Sequence, residues 1–309
     1  MLLIRDNPGR QLLRSAVVTI GNFDGLHLGH QALIQRCKSL SEARFPVAVV
    51  TFEPLPQAWF RPEAAPARLM SVRQKLEYLQ DDAIDLTWLM RFNHALATMG
   101  ADDFVRLVLV ETLDTRHVVV GEDFRYGSAR QGDIDSLRQA SKKYGFDLSV
   151  VPMLDVDGKR ASSTHIRNCL ANGKLQSAAD LLGRPFRMSG RVTRGRQLGR
   201  ELGYPTANIR LAKLPSPLHG VFAVRVQIGN SVWHDGVANL GTRPAVGGEG
   251  FLLEAHLFDF KDDLYGKRLE VEFVTKLRNE ANFEDIDDLV VQMREDERLA
   301  RHCLGLIAN

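Results

Sequence analysis

The chain has 309 residues, 44% of them hydrophobic and 25% charged, with a formal net charge of +2. That length accommodates two domains of ordinary size, and the balance is that of a globular protein. A net charge so near zero gives no footprint for nucleic acid or an anionic membrane, and no apolar run approaches the roughly 20 residues that span a bilayer.

Cys37, Cys169 and Cys303 are odd in number and far apart. They fit neither a disulfide framework nor a zinc cluster, and a reducing, cytoplasmic setting is expected. The opening Met1–Asp6 leads into no long apolar core, so no secretory signal is expected. No repeat or low-complexity tract is present.

Ala16 to Ile20 is a run of β-formers, read as a buried strand. Gly21-Asn22-Phe23-Asp24-Gly25-Leu26-His27-Leu28-Gly29-His30 follows, and Gln31 to Leu40 reads as helix. Strand, glycine-rich turn and helix together aim backbone N–H groups and a helix dipole at an anion. No Gly-Lys-Ser/Thr follows and there is no Gly-x-Gly-x-x-Gly, so neither common phosphate loop is present. A single histidine at a helix start is more often a cap or a solvated group. A pair three apart, His27 and His30, faces one phosphate and suits stabilisation of charge developing on it.

Four more strands are expected, over Val47 to Phe52, Leu86 to Met90, His117 to Val120 and Leu148 to Val151. Helices over Ser71 to Leu79, Ala101 to Leu113 and Ile134 to Tyr144 alternate with them. This pattern predicts an α/β fold with a doubly wound parallel sheet, whose ligands bind beyond the carboxyl ends of the strands. After the second strand, Pro54 and Pro56 stiffen a loop and Phe52 can lie against a ring. After the fourth come Phe124 and Arg125, then Arg130; an aromatic suits stacking and an arginine suits phosphate. Ser162-Ser163-Thr164-His165-Ile166-Arg167 reads either as a plain helix cap or as a triphosphate cradle with Arg167 as counter-charge.

A short helix over Leu175 to Leu182 ends at Gly183-Arg184-Pro185, where the periodicity changes to two. The boundary is placed there, giving domains 1–182 and 183–309. Alternation over Phe222 to Ile228 and Leu269 to Phe273 predicts an antiparallel barrel or sandwich, with Gly229-Asn230 as a hairpin turn. A terminal helix carries Ile286, Leu289, Val290 and Met293 on one face. Gly190 to Arg200, rich in arginine and glycine, reads as a flexible loop that grips RNA or closes over a nucleoside triphosphate. Thr206 and Asn208 lie two apart in extended chain, so their neutral oxygens share a face and suit a Mg²⁺ shell completed by ATP phosphates.

The string Gly21 to His30 resembles the His-x-Gly-His nucleotidylyltransferase superfamily, and more narrowly the adenylyltransferase module of bacterial bifunctional riboflavin kinase/FAD synthetase. Ser162 to Arg167 is similar to that module's second signature. Pro205-Thr206-Ala207-Asn208, Gly236 to Pro244, Leu253 to Leu257 and Asp263 to Gly266 resemble the riboflavin kinase family over nearly all of Gly183 to Asn309.

The resemblance implies an N-terminal parallel-sheet nucleotidyltransferase domain and a C-terminal antiparallel β-barrel with a terminal helix. It implies that riboflavin and Mg-ATP give FMN, and that FMN and a second ATP give FAD and pyrophosphate. By the match, Glu254 is the base on the ribityl hydroxyl, and Thr206 and Asn208 hold metal and ATP. Gly21 to Gly25, His27, His30, Ser163, Thr164 and Arg167 serve the other ATP. Phe52, Pro54, Phe124 and Arg125 line the flavin. Two positions depart from the family: Leu55 stands within its Pro-His-Pro, and Ala245 replaces the threonine of its Pro-Thr. Gly241 to Gly250 is expected to be a mobile cover. The rival readings are an adenylyltransferase for another acceptor and a flavin- or RNA-binding regulator.

Overall fold

The computed structural model describes residues 1–6, 9, 11–195, 202–211, 215–229, 231–245 and 248–306, without the side chains of 242–250. By compactness the chain divides into two units, Met1–Pro66 with Val72–Ser162, and Ala67–Ser71 with Ser163–Asn309.

The first unit runs β1 (Leu2–Ile4), β2 (Ala16–Ile20), α1 (Leu28–Ser41), β3 (Val47–Glu53), α2 (Pro56–Phe60), α3 (Val72–Asp81), β4 (Leu86–Arg91) and α4 (His94–Thr98). It continues through α5 (Ala101–Phe104), β5 (Thr115–Gly121), α6 (Ile134–Tyr144) and β6 (Asp147–Val151), then a small hairpin of β7 (Asp155–Val156) and β8 (Lys159–Arg160). The six-stranded sheet has the order β1-β4-β3-β2-β5-β6, and every pair is parallel. All five residues of β2 are buried. As a central strand it is covered on both faces, which is why its sequence is apolar without alternation. Val18, Ile20, Val50, Trp88, Val118 and Val120 form the middle of the core.

From β2 the chain steps outward one way to β3 and the other way to β5. The topological switch point therefore lies between β2 and β5, where such sheets bind ligands. The turn Gly21–His27 leaves β2 and the Phe124 loop leaves β5, so both open at that point.

Two helices differ from the periodicity. The first starts at Leu28, with His27 as its N-cap, rather than at Gln31. The stretch after Phe104 is a π-helix over Val105–Thr112. There Thr112 Oγ1 donates to Leu107 O at 2.7 Å and Thr115 Oγ1 donates to Leu109 O at 2.6 Å. These hydroxyls take up carbonyls and so support the wider turn.

The second unit holds α7 (Ser163–Ala171), α8 (Leu175–Leu182) and a closed barrel of β9 (Arg187–Thr193), β10 (Ala207–Arg210), β11 (Gly220–Ile228), β12 (Trp233–Ala245), β13 (Gly248–Leu257) and β14 (Arg268–Arg278). The order around it is β10-β13-β12-β11-β14-β9, antiparallel throughout. This settles barrel against sandwich. Ala207, Ile209, Ala238, Leu240, Leu253 and Ala255 point inward and are buried. The terminal helix α9 (Ile286–Cys303) follows β14.

Two loop expectations fall on paired strand here. Gly190 to Thr193 belongs to β9, paired with β10 and β14. Gly190 is required there because a Cβ would meet Arg210 O at 2.4 Å; residues 196–200 lie outside the described residues. Within the expected cover, Gly241–Ala245 and Gly248–Gly250 are the paired ends of β12 and β13, with Ala245 opposite Gly248. Residues 246–247 and the Asn230 of the expected hairpin turn lie outside the described residues, as does the side chain of Ala245.

Candidate functional site

Each unit presents one constellation. In the first, the chain leaves β2 at Gly21, whose N–H donates to Val50 O at 3.0 Å. Phe23 (φ +47), Gly25 (φ +86) and Leu26 (φ +42) take left-handed backbone, which folds the turn tightly. Phe23 and Leu26 are buried beneath it. His27 is buried and His30 half-buried. Their rings stack with centroids 3.7 Å apart, and Phe23 lies 5.0 Å from His30. The two imidazoles thus form one plate at the start of α1. Gly29 makes it possible: a Cβ there would come within 3.1 Å of His27 Nδ1 and 3.3 Å of Ala161 O. Gln31 Nε2 ties the turn to the helix through Leu26 O at 2.8 Å.

At the carboxyl ends of β3 and β4, Phe52 meets Phe92 edge-on at 5.9 Å. Trp59 and Phe60 of α2 each pack 5.7 Å from Phe92, and Phe60 is 58% exposed. The sequence pattern at Phe52 and Pro54 points to this end of the sheet. It passes over Phe92, which only the fold brings to Phe52, and over Trp59 and Phe60, which pack on Phe92. Leu55, by contrast, is buried as a packing residue at the head of α2. Beyond β5, Phe124 stacks on Tyr126 at 5.5 Å, and Arg125 is exposed with Nη1 on Phe124 O at 3.1 Å. The loop is braced by the Arg160–Asp123 ion pair and by Met153 N–H donating to Glu122 Oε1 at 3.1 Å.

Ser163 and Thr164 open α7, and Arg167 Nε donates to Ala67 O at 2.5 Å. The division of the chain assigns all three to the second unit and the two histidines to the first.

In the second unit, Asn208 and Glu254 are direct partners across β10 and β13, and Glu254 and Asn239 are direct partners across β13 and β12. Directly opposed residues in an antiparallel pair have Cβ atoms about 5 Å apart on one face. Asn208, Glu254 and Asn239 therefore form a row on the outer face of the barrel. The row and Thr206 line a cavity of about 290 Å³. Its other walls are Tyr204, His256, Arg278 and Glu280, with Phe283, Leu289 and Met293 as apolar cover.

Hydrogen bonds fix this lining. His256 Nδ1 lies 2.9 Å from Pro205 O, pinning the residue before Thr206. Asn239 Nδ2 donates to Glu280 Oε1 at 3.3 Å. Arg278 grips Asp296 of α9 with two bonds of 2.8 and 2.7 Å. Burial, followed by the nearby Glu297 charge, raises the Tyr204 hydroxyl above its ordinary range. Alternation around Glu254 singles out His256 as a neighbour on the same face; Asn239 and Arg278 come from distant strands.

Among the described residues no group of three or more His, Cys, Asp or Glu side chains is placed to hold a metal. Thr206 and Asn208 offer neutral oxygens on one cavity wall, which suits a cation whose charge is met by a bound phosphate. No helix among the described residues is long and apolar enough to cross a membrane. A shallower opening in the first unit, against α6 and β6, involves none of these residues.

The FAD synthetase family profile matches residues 10–165, and the riboflavin kinase profile matches residues 182–304. The bifunctional riboflavin kinase/FMN adenylyltransferase of Haemophilus influenzae is 43% identical over 97% of this chain and 98% of its own. The chain belongs to the bifunctional riboflavin kinase/FMN adenylyltransferase family. The family member of Escherichia coli K12 is 44% identical over 99% of both chains. A crystal structure described as a macrolide-efflux protein from Streptococcus pneumoniae superposes with a TM-score of 0.83, covering 97% of this chain and 99% of that one at 26% identity. This chain is thus an enzyme of flavin-cofactor synthesis that uses ATP, and both of its halves have the fold that the family resemblance implies.

Proposed function

We propose that this bifunctional riboflavin kinase/FMN adenylyltransferase works from two separate ATP sites in series, with domains 1–182 and 183–309 each carrying one reaction. The observation that carries this reading is the pairing of Glu254 with Asn208 in one unit and the His27–His30 plate in the other.

In the C-terminal site, Glu254 takes the proton from the ribityl 5′-hydroxyl as the oxygen attacks the γ-phosphate of ATP. A neutral alcohol benefits from a base in this way. Thr206 and Asn208 are the residues that would hold Mg²⁺ beside the phosphates, where the ion supplies charge neutralisation. The pairing of Asn208 with Glu254 brings proton acceptor and phosphate holder onto one wall. The products are FMN and ADP.

In the N-terminal site, the acceptor is the FMN phosphate, already anionic, so positioning and charge stabilisation suffice. His27 and His30 meet the reacting α-phosphate, with the backbone of Gly21, Asn22, Phe23, Asp24 and Gly25 beside them. Ser163, Thr164 and Arg167 hold the remaining ATP phosphates. Phe52, Pro54, Phe124 and Arg125 line the flavin side, joined by Phe92, which meets Phe52, and by Trp59 and Phe60, which pack on Phe92. The products are FAD and pyrophosphate. Reducing, cytoplasmic conditions suit the three dispersed thiols.

The test is a time course with riboflavin, ATP and Mg²⁺, with flavins separated chromatographically. FMN is expected to rise first and FAD to follow. Unchanged riboflavin and ATP would refute the reading, and FMN without FAD would refute its N-terminal half.

A further inference from the structure

Lys75 on α3 is 2% exposed, and no step above uses it. An ammonium so deeply buried is costly unless its donors are engaged. Its Nζ donates to Asn22 O at 2.7 Å and to Thr51 Oγ1 at 3.2 Å. Thr51 Oγ1 in turn donates to Asn22 O at 3.1 Å, and Thr51 is itself fully buried. The carbonyl at the heart of the Gly21–Gly25 turn is thus drawn inward by two donors from other elements.

That fixes a peptide plane. The Asn22 carbonyl faces the buried Lys75, which so holds the backbone that carries the Phe23 ring. Phe23 meanwhile keeps a φ of +47, a conformation that a bulky L-residue holds only when its surroundings impose it. Its ring is buried 5.0 Å from His30.

We propose that Lys75, with Thr51, is a positioning residue for adenylyl transfer: it holds the Asn22–Phe23 peptide, and with it the buried Phe23 ring against His30, so that the imidazole stays where it meets the phosphate. This rests on the assignment of the opening turn to ATP given above. Lys75 touches no substrate. Its effect is to preorganise the His30 imidazole through Phe23, and a charge-stabilising group is of most value when it needs no reorganisation during the reaction.

The test is K75M in the full chain, assayed for FAD formation from FMN and, separately, for FMN formation from riboflavin. The expected result is a fall of at least about tenfold in kcat for FAD formation, with KM for FMN unchanged. FMN formation is expected to be unchanged, and Tm to fall, since the buried Asn22 carbonyl loses one of its two donors, so both rates are read well below the Tm of the variant. T51V, which removes one donor and keeps the shape, is expected to lower the same kcat by less. Wild-type FAD formation with an unchanged kcat in K75M overturns the inference alone. So does a fall in both activities together with Tm in K75M while T51V is unaffected, which marks a purely structural lysine. A wild-type chain that makes no FAD overturns the underlying assignment and this inference with it.

Discussion

Glu254 stands directly opposite Asn208 across the β10–β13 pair, so the proposed base and the proposed metal-side amide share one wall of the barrel's outer cavity. Their spacing is set by backbone register, which a single side-chain change does not move. Glu254→Gln keeps the shape and removes the basicity. It should lower kcat for riboflavin phosphorylation by roughly 10²–10⁴-fold and leave FAD formation from supplied FMN unchanged, as measured by chromatographic initial rates.

Gly29→Ala tests the histidine plate without touching either imidazole. The added Cβ meets His27 Nδ1 at 3.1 Å and a backbone oxygen at 3.3 Å, so the ring has to give. Alanine is worth up to about 1 kcal/mol over glycine within a helix, which offsets the crowding. Stability should therefore stay near wild type while FAD formation drops by about tenfold or more, since small displacements of a positioned group are expensive in rate. Calorimetry alongside the FAD assay separates the two effects.

The Arg278–Asp296 pair anchors α9 beside the cavity, with the Asp296 side chain 5% exposed. Gln292 Nε2 adds a third bond to Asp296 at 3.0 Å. Asp296→Ala leaves the guanidinium without its bidentate partner, and it should destabilise the barrel unit by about 3 kcal/mol. The KM for riboflavin should rise, because Phe283, Leu289 and Met293 depend on that anchor for their place over the cavity. Denaturant unfolding and kinase kinetics check the two parts.

His117 on β5 supplies a pH prediction. Burial depresses its pKa below 6.5, outweighing the opposite pull of Asp147, and its Nε2 lies 2.8 Å from Ser149 Oγ. The unfolded chain therefore binds the proton at higher pH than the folded one does. Stability from this group is full above 6.5 and declines as pH falls through the ordinary histidine range toward the depressed value. His117→Gln should flatten that part of the Tm-versus-pH curve, measured by calorimetry across it.

Thiol chemistry should follow burial. Burial pushes the Cys37 pKa up to about 12, and Cys303 is exposed. A maleimide under native conditions should label Cys303 and spare Cys37, with peptide mass spectrometry as the readout.

Much of this was legible in residue order, for identifiable reasons. The uniform apolarity of Ala16 to Ile20 signals a strand covered on both faces, and alternation in Phe222 to Ile228 signals a barrel strand, whose outward Ala223 is nonetheless buried with Phe258 and Ala300. Where local signals compete, the pattern misleads. Gly190 looks like loop because glycine is a breaker, yet it is there so that β9 can approach Arg210. Gly241, Gly248 and Gly250 likewise lie in paired strand. Site residues carried by a compact motif, such as His27 and His30, are visible in order. Those delivered by tertiary structure are not: Lys75 is an ordinary helical lysine until α3 packs it under Asn22. Phe92 is an unremarked aromatic until β4 brings it to Phe52.

Two independent sites in series make one demand that a single shared site does not. Glu254→Gln and His30→Ala, prepared separately, should each fail to make FAD from riboflavin, the first leaving riboflavin unchanged and the second accumulating FMN. Mixed in one tube with ATP and Mg²⁺, they should restore FAD, because FMN released by one variant is the substrate of the other. A mixture that stays inactive although each variant is folded, or either variant losing both reactions, would contradict the account.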